Sequence, residues 1–279
     1  MRLVTYRGAS GARAGLLTEG GVLDAAAILR LDRISVRELI EDTVLGDLAE
    51  RLEGAGAVPV ANAELLPPIP DPDKIVCMGL NYRSHAAEAG IEPPGQPTFF
   101  AKFRNALAPP GATVELPAAS EKVDYEAEVA FVVARRCKEV DPERALEAIA
   151  GYMLLNDLSA RDLQFATPQW MPGKVFDGSA PCGPALVTPD QAGAPDAISF
   201  ALDLNGERMQ EASTADLIFP VAELLSRLSR WMTLEPGDIV STGTPAGVGS
   251  VRQPRVWLKP GDEIVISSPT LGELRTAIA

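Results

Sequence analysis

The chain has 279 residues, 46% hydrophobic and 23% charged, the balance of a globular protein long enough to bury a sizeable core. Its formal net charge of −13 argues against nonspecific binding to nucleic acid or anionic lipid, because no basic patch stands ready to release phosphate counterions. No apolar run approaches the roughly 20 residues that span a bilayer, and the start M-R-L-V-T-Y-R lacks a signal-peptide core, so a cytoplasmic location is expected.

In chain order, residues 3–6 and 14–17 read as short strands between glycine-rich turns, followed by a helical stretch over residues 36–52. The segment L-P-P-I-P-D-P at residues 66–72 holds four prolines in seven residues, which makes it extended and unable to join a central ladder. It marks a boundary between a small unit, residues 1–66, and a larger one, residues 67–279. Beyond it, short β-like runs recur at residues 75–80, 98–101, 123–134, 151–156, 185–188, 199–205, 238–241 and 262–267. Helical patterns interrupt them at residues 142–149 and 219–231, the second with Val221, Leu224, Leu225 and Leu228 at helical spacing. The fold class is therefore mainly β with some α. Cys77, Cys137 and Cys182 are odd in number and far apart, which supports neither a disulfide framework nor a Cys-x-x-Cys metal site.

The residues that can do chemistry fall in the larger unit. The one histidine, His85, lies in N-Y-R-S-H-A-A-E just after the run at 75–80, and Glu88 is three residues on, adjacent if the segment is helical. A carboxylate beside imidazole fixes its tautomer and raises its basicity, as a general base requires; the plainer reading is a surface ion pair. In V-D-Y-E-A-E-V-A-F-V-V-A, Glu126 and Glu128 share one face because side chains alternate along a strand. Like charges that close repel unless a cation sits between them, and Asp157, at the end of the apolar run G-Y-M-L-L-N, would complete a three-oxygen shell for Mg²⁺ or Mn²⁺ if the two strands pair. A solvated acidic face is the competing reading. Lys174, in P-G-K-V-F-D-G, could face an anionic substrate or, if desolvated, act as a nucleophile. The run S-T-G-T-P-A-G-V-G at residues 241–249 lacks the Gly-Lys-Ser/Thr ending of a phosphate loop, so a nucleotide site is not expected. Nor does the chain hold a G-x-S-x-G elbow for a serine hydrolase.

Four ordered motifs, G-L-N-Y-R-S-H-A-A-E, Y-E-A-E, L-N-D-L-S-A-R-D-L-Q and G-K-V-F-D, closed by T-G-T-P-A-G-V-G, resemble the fumarylacetoacetate hydrolase family over residues 74–278. Within it the pattern most resembles the domain-containing protein 2 group and bacterial hydroxymuconate isomerase or decarboxylase relatives. The resemblance implies a mixed β-roll catalytic domain, a small N-terminal α+β accessory domain, and a homodimer. It further implies Glu126, Glu128 and Asp157 as ligands of Mg²⁺, Mn²⁺ or Ca²⁺, and His85 with Glu88 as a dyad on a mobile lid. Lys174 matches the active-site lysine, and Arg161, Gln164 and Thr244 match substrate-contacting positions.

The expected activity is C–C bond hydrolysis, decarboxylation or keto–enol isomerisation of a small-molecule 2-oxo acid of the acylpyruvate, oxaloacetate or hydroxymuconate type, with a metal-stabilised enolate as its common feature. The absence of charged residues between 164 and 173 favours an apolar or short distal substrate end, with Arg83 and Arg104 the residues that would change this. Two alternatives are a metal-free Schiff-base aldolase using Lys174 and a non-enzymatic Ca²⁺-binding protein.

Overall fold

The computed structural model describes residues 1–41, 44–52 and 57–279. Its largest sheet has eleven strands; the main path runs Gly21–Asp24, Gly11–Thr18, Arg2–Gly8, Ala180–Val187, Ile149–Asn156, Ala127–Val133, Ile239–Ser241, Ile75–Gly79 and Thr98–Lys102. A second sheet of five strands runs Glu207–Ser213, Ser199–Leu204, Glu263–Ser268, Gly272–Ile278 and Thr113–Val114. The mainly β architecture expected from the sequence is what the chain adopts.

The centre of the large sheet explains itself from composition. Ala127–Val133 reads A-E-V-A-F-V-V and is buried along its whole length, which suits a strand flanked on both edges and covered on both faces. It pairs antiparallel with Ile149–Asn156 in a register that sets Ala127 opposite Asn156 and Glu128 opposite Leu155. Its other edge pairs antiparallel with Ile239–Ser241. The helix Val221–Trp231 buries Val221, Leu224, Leu225 and Leu228 on one stripe, as its spacing predicts, and packs against the helix Pro142–Ala145.

Three local departures from the sequence reading have physical causes. The run expected as one strand over 123–134 is broken: Val123–Asp124 pairs with Ser159–Ala160 in a separate two-stranded ladder, and only Ala127–Val133 joins the large sheet. The segment S-A-R-D at residues 159–162, which reads as a helix N-terminus, turns helical only at Arg161, because Ser159 and Ala160 are spent in that ladder. The strand expected at 185–188 extends back to Ala180, since its early residues pair in parallel with Leu107–Ala108. In the N-terminal region the helices Val36–Glu41 and Val44–Leu52 are seen; the part of the expected helical stretch at 42–43 lies outside the described residues. Residues 1–66 are also tied to the rest by hydrogen bonds, as Arg2–Gly8 pairs with Ala180–Val187. No helix among the described residues is long and apolar enough to cross a membrane.

Candidate active site

The antiparallel register brings the acids together. The Asp157 amide donates to the Glu126 carbonyl at 2.9 Å, so the two residues face each other across neighbouring strands, and Glu128 lies two residues farther along the Glu126 face. Carboxylate oxygens of Glu126, Glu128 and Asp157 all lie within 4.8 Å of one another, and all three residues are buried.

Cations from three other elements meet them. Lys174, on the loop after the one-turn helix Met171–Gly173, is buried and places Nζ 2.7 Å from both Glu126 Oε2 and Asp157 Oδ2. Lys102, at the end of Thr98–Lys102, is completely enclosed and lies 2.9 Å from Asp157 Oδ1, donating also to Ser179 Oγ at 2.9 Å, the Ser179 carbonyl at 3.0 Å and the Lys174 carbonyl. Arg161 spans Glu126 at 2.6 Å and Asp124 at 2.9 Å. Among the described residues no cation pairs with Glu128, whose Oε2 accepts from the Ser241 hydroxyl and from the Gly243 amide, the latter at 3.1 Å.

The charges set the protonation states. Burial opposes ionisation of Glu126, but Arg161 and Lys174 outweigh it and hold the carboxyl well below the ordinary range. For Glu128, burial is reinforced by Asp157 and Glu126, and its carboxyl is pushed well above that range. Burial likewise works against the Lys174 ammonium, yet Asp157 and Glu126 overcome it and raise its pKa. A cluster with paired anions and one uncompensated carboxyl, all oxygen donors, fits a hard divalent cation by donor chemistry, with Glu126, Glu128 and Asp157 as the residues that would hold it.

Above the cluster opens a cavity of about 520 Å³, lined among others by Glu126, Glu128, Lys174, Arg161, Gln164 and Thr244. His85 is also on its wall, on the helix Arg83–Ala89, with Nδ1 3.5 Å from Glu88 Oε2. Glu88 in turn accepts from the Gly247 amide at 3.0 and 3.1 Å, which docks this helix onto the loop between residues 242 and 248. Gln164 accepts from Arg161 at 3.0 Å, and Thr244 donates to the Ala127 carbonyl at 3.0 Å. Phe100 carries Lys174 Nζ 4.9 Å from its ring centre and meets Trp170 edge-on at 5.7 Å, giving the cavity an aromatic wall. Of the residues singled out as catalytic, substrate-contacting or metal-binding, His85, Glu126, Glu128, Arg161, Gln164, Lys174 and Thr244 line this cavity, while Asp157 and Glu88 stand behind it against Lys174 and His85.

Other residues of the site were not anticipated. Asp124 continues the alternation of Glu126 and Glu128, but the break in the strand turns it to Arg161 and to the amides of Gly249 and Ser250 at 2.7 and 3.0 Å. Lys102 gave one signal, a lone charge closing the apolar run T-F-F-A-K. The exposed side chains of Lys122 and Arg255 also line the cavity, whereas Arg83 is turned away to the Leu217 carbonyl at 2.7 Å and Arg104 is not among the lining residues.

A cavity floored by buried acids and a buried lysine is the kind of site that enzymes on small molecules use. Which enzyme family is settled by similarity: residues 74–279 match the fumarylacetoacetate (FAA) hydrolase C-terminal model, and the chain belongs to that family. A bovine protein named oxaloacetate tautomerase FAHD2B, mitochondrial, is 41% identical over 217 residues, covering 77% of this chain and 69% of the relative. The fumarylacetoacetate hydrolase of Exiguobacterium antarcticum superposes with a TM-score of 0.86 at 33% identity, covering 100% of this chain and 99% of that one. The maleylpyruvate hydrolase of Sphingobium sp. SYK-6, solved with manganese(II) and pyruvate, gives 0.83 at 30% identity with coverage of 100% and 99%.

Proposed function

We propose that this enzyme acts on 2-oxo acids of the acylpyruvate, oxaloacetate or hydroxymuconate type and depends on Mg²⁺ or Mn²⁺, with Ca²⁺ an admissible substitute, held by Glu126, Glu128 and Asp157. The observation that carries the reading is the convergence of three buried carboxylates within 4.8 Å beneath a cavity whose wall holds the chain's one histidine. The names of the tautomerase and hydrolase relatives support the substrate class.

A divalent ion at the acids supplies Lewis acidity toward a carboxylate and its neighbouring oxo group. The chain's own residues do the rest. Lys174 offers N–H donors to oxygen where negative charge develops as the C3–C4 bond breaks or a C3 proton leaves. His85, its ring positioned by Glu88, takes a proton from water for attack at C4, or from C3 in tautomerisation. Arg161, Gln164 and Thr244 orient the substrate, and Phe100 with Trp170 keeps water from that side. One base thereby serves both hydrolysis and keto–enol exchange. The aldolase alternative is disfavoured because Lys174 is an ammonium pinned by two carboxylates rather than a free amine. We also propose a cytoplasmic homodimer, which light scattering on purified protein and fractionation of the source cells would test.

The test is a panel. Protein loaded with Mg²⁺ or Mn²⁺ is mixed with oxaloacetate, acetylpyruvate and an enol-form 2-oxo acid, and ultraviolet loss and pyruvate release are followed. Turnover of at least one, abolished by EDTA and lowered about 10²–10⁴-fold in His85→Ala where proton transfer is required, is expected. Activity that survives EDTA, with borohydride and pyruvate labelling Lys174, would replace this reading by the aldolase.

A further inference from the structure

We propose that Lys122 and Arg255 form a second anion-binding subsite at the outer end of the cavity, which selects 2-oxo acids carrying a second carboxylate beyond the reach of a four-carbon diacid. The inference rests on the 2-oxo acid reading above and names the substrate class within it.

Both side chains line the same cavity as Glu126, Glu128 and Lys174. Their placement on one rim follows from the backbone. Lys122 directly precedes the strand Val123–Asp124, and the Leu258 amide donates to the Val123 carbonyl at 2.9 Å, so the segment carrying Arg255 and Trp257 runs beside the one carrying Lys122. The Arg161 amide donates to the Lys122 carbonyl at 2.9 Å, which ties this segment to the residue whose guanidinium touches Glu126. Four residues of extended chain separate Lys122 from Glu126, at most about 13 Å.

These are cations without partners. Among the described residues, neither Lys122 nor Arg255 enters an ion pair within 4.0 Å, and neither side chain makes a hydrogen bond within the protein, although the chain carries an excess of acids, 38 against 25 basic residues. Asp162, the acid on this part of the wall, is already engaged by the Ser120 hydroxyl at 2.5 Å and by the Glu121 and Leu163 amides at 3.1 and 3.0 Å. Two exposed, unpaired cations on the mouth of a cavity in a strongly acidic protein create a local field that attracts and orients an anion. Size points the same way. Nine heavy atoms of a four-carbon 2-oxo diacid, at no more than roughly the 30 Å³ share of a liquid water each, fill at most about half of the 520 Å³. The lining beyond the acids includes Lys122 and Arg255 together with Val248, Trp257 and Phe165, apolar groups that suit a hydrocarbon spacer.

The test uses two isosteric pairs that differ only in a terminal carboxylate against a methyl group. Turnover of succinylpyruvate and butanoylpyruvate by the Mn²⁺-loaded protein gives a ratio of kcat/KM. Calorimetric binding of 2-oxopimelate and 2-oxoheptanoate gives a ratio of affinities that does not depend on turnover. Charged hydrogen bonds lead us to expect a preference of about tenfold or more for the diacid in both ratios. In the Lys122→Ala/Arg255→Ala double variant both ratios should fall to about one; because both residues are exposed, folding is not at stake. A wild-type ratio of one, or a preference unchanged in the double variant, overturns the subsite. Failure to turn over either acylpyruvate would count against the proposed reaction, while the binding ratio would still decide the subsite.

Discussion

At the residue level the decisive side chain is Glu128, the one buried acid of the cluster that pairs with no cation among the described residues. Because its carboxyl is raised, the native chain keeps a proton that the unfolded chain releases above about pH 4.3. Its contribution to stability is therefore intact below that pH and is lost as pH rises toward the native value. Glu126 has the opposite sign: its lowered pKa gives stability that is present above about pH 4.3 and lost on acidification. Glu128→Gln removes only the first effect. In metal-free protein the variant should melt higher than wild type, by a margin that grows as pH rises above about 4.3, each kcal/mol reading as roughly 2–4 °C. Thermal unfolding followed by circular dichroism checks this, and a margin independent of pH would contradict it. The two glutamates were legible from alternation alone, since Glu126 and Glu128 do face one cluster. Asp124 was not, because alternation is blind to where a strand changes ladders, and Lys102 was not, because one lysine at the end of T-F-F-A-K looks the same whether its head reaches solvent or an aspartate.

Among the elements, the helix Arg83–Ala89 is short, and its end is closed by Gly90 in the left-handed region with φ 64°. Such a helix is marginal on its own and depends on what it docks against. Arg83 and the Ser84 amide tie its start to the Leu217 carbonyl and Asp216, and the anchor toward its C-terminal end is Glu88 on the Gly247 amide; Gly247 itself has φ 102° and would press a Cβ into the Met209 carbonyl, so this contact needs a glycine. Glu88→Ala should release the helix, raising hydrogen exchange of residues 83–97 while leaving the Val221–Trp231 helix protected; equal protection in the variant would show that the anchor lies elsewhere. The strand interiors could be read from composition, as A-E-V-A-F-V-V shows, but their ends could not. Val123–Asp124 and Ser159–Ala160 form a ladder of two residues each, too short to leave a periodic signal.

For the molecule as a whole, the continuous sheet governs how separable its parts are. We propose residues 1–66 as an accessory unit, but one whose strand Arg2–Gly8 completes the edge of Ala180–Val187 and whose Leu3, Leu16, Leu39 and Leu48 share a core with Met153, Leu155 and Leu186. Residues 67–279 expressed alone would expose that edge and that apolar face, and should aggregate or melt well below the full chain; a monomer with the full-length melting temperature would show the two units to be independent. The prolines of residues 66–72 suggest a boundary, whereas the pairing of Arg2–Gly8 with Ala180–Val187 joins residues far apart in the chain and leaves no local mark. The most direct measurement is a calorimetric titration of Mn²⁺ into the apoprotein and into its Asp157→Asn and Glu128→Gln variants. One Mn²⁺ per chain in wild type, with binding weakened about tenfold or more in each variant, is the expected result. Equal binding in all three, or none in the wild type, would mean that these carboxylates do not hold the ion.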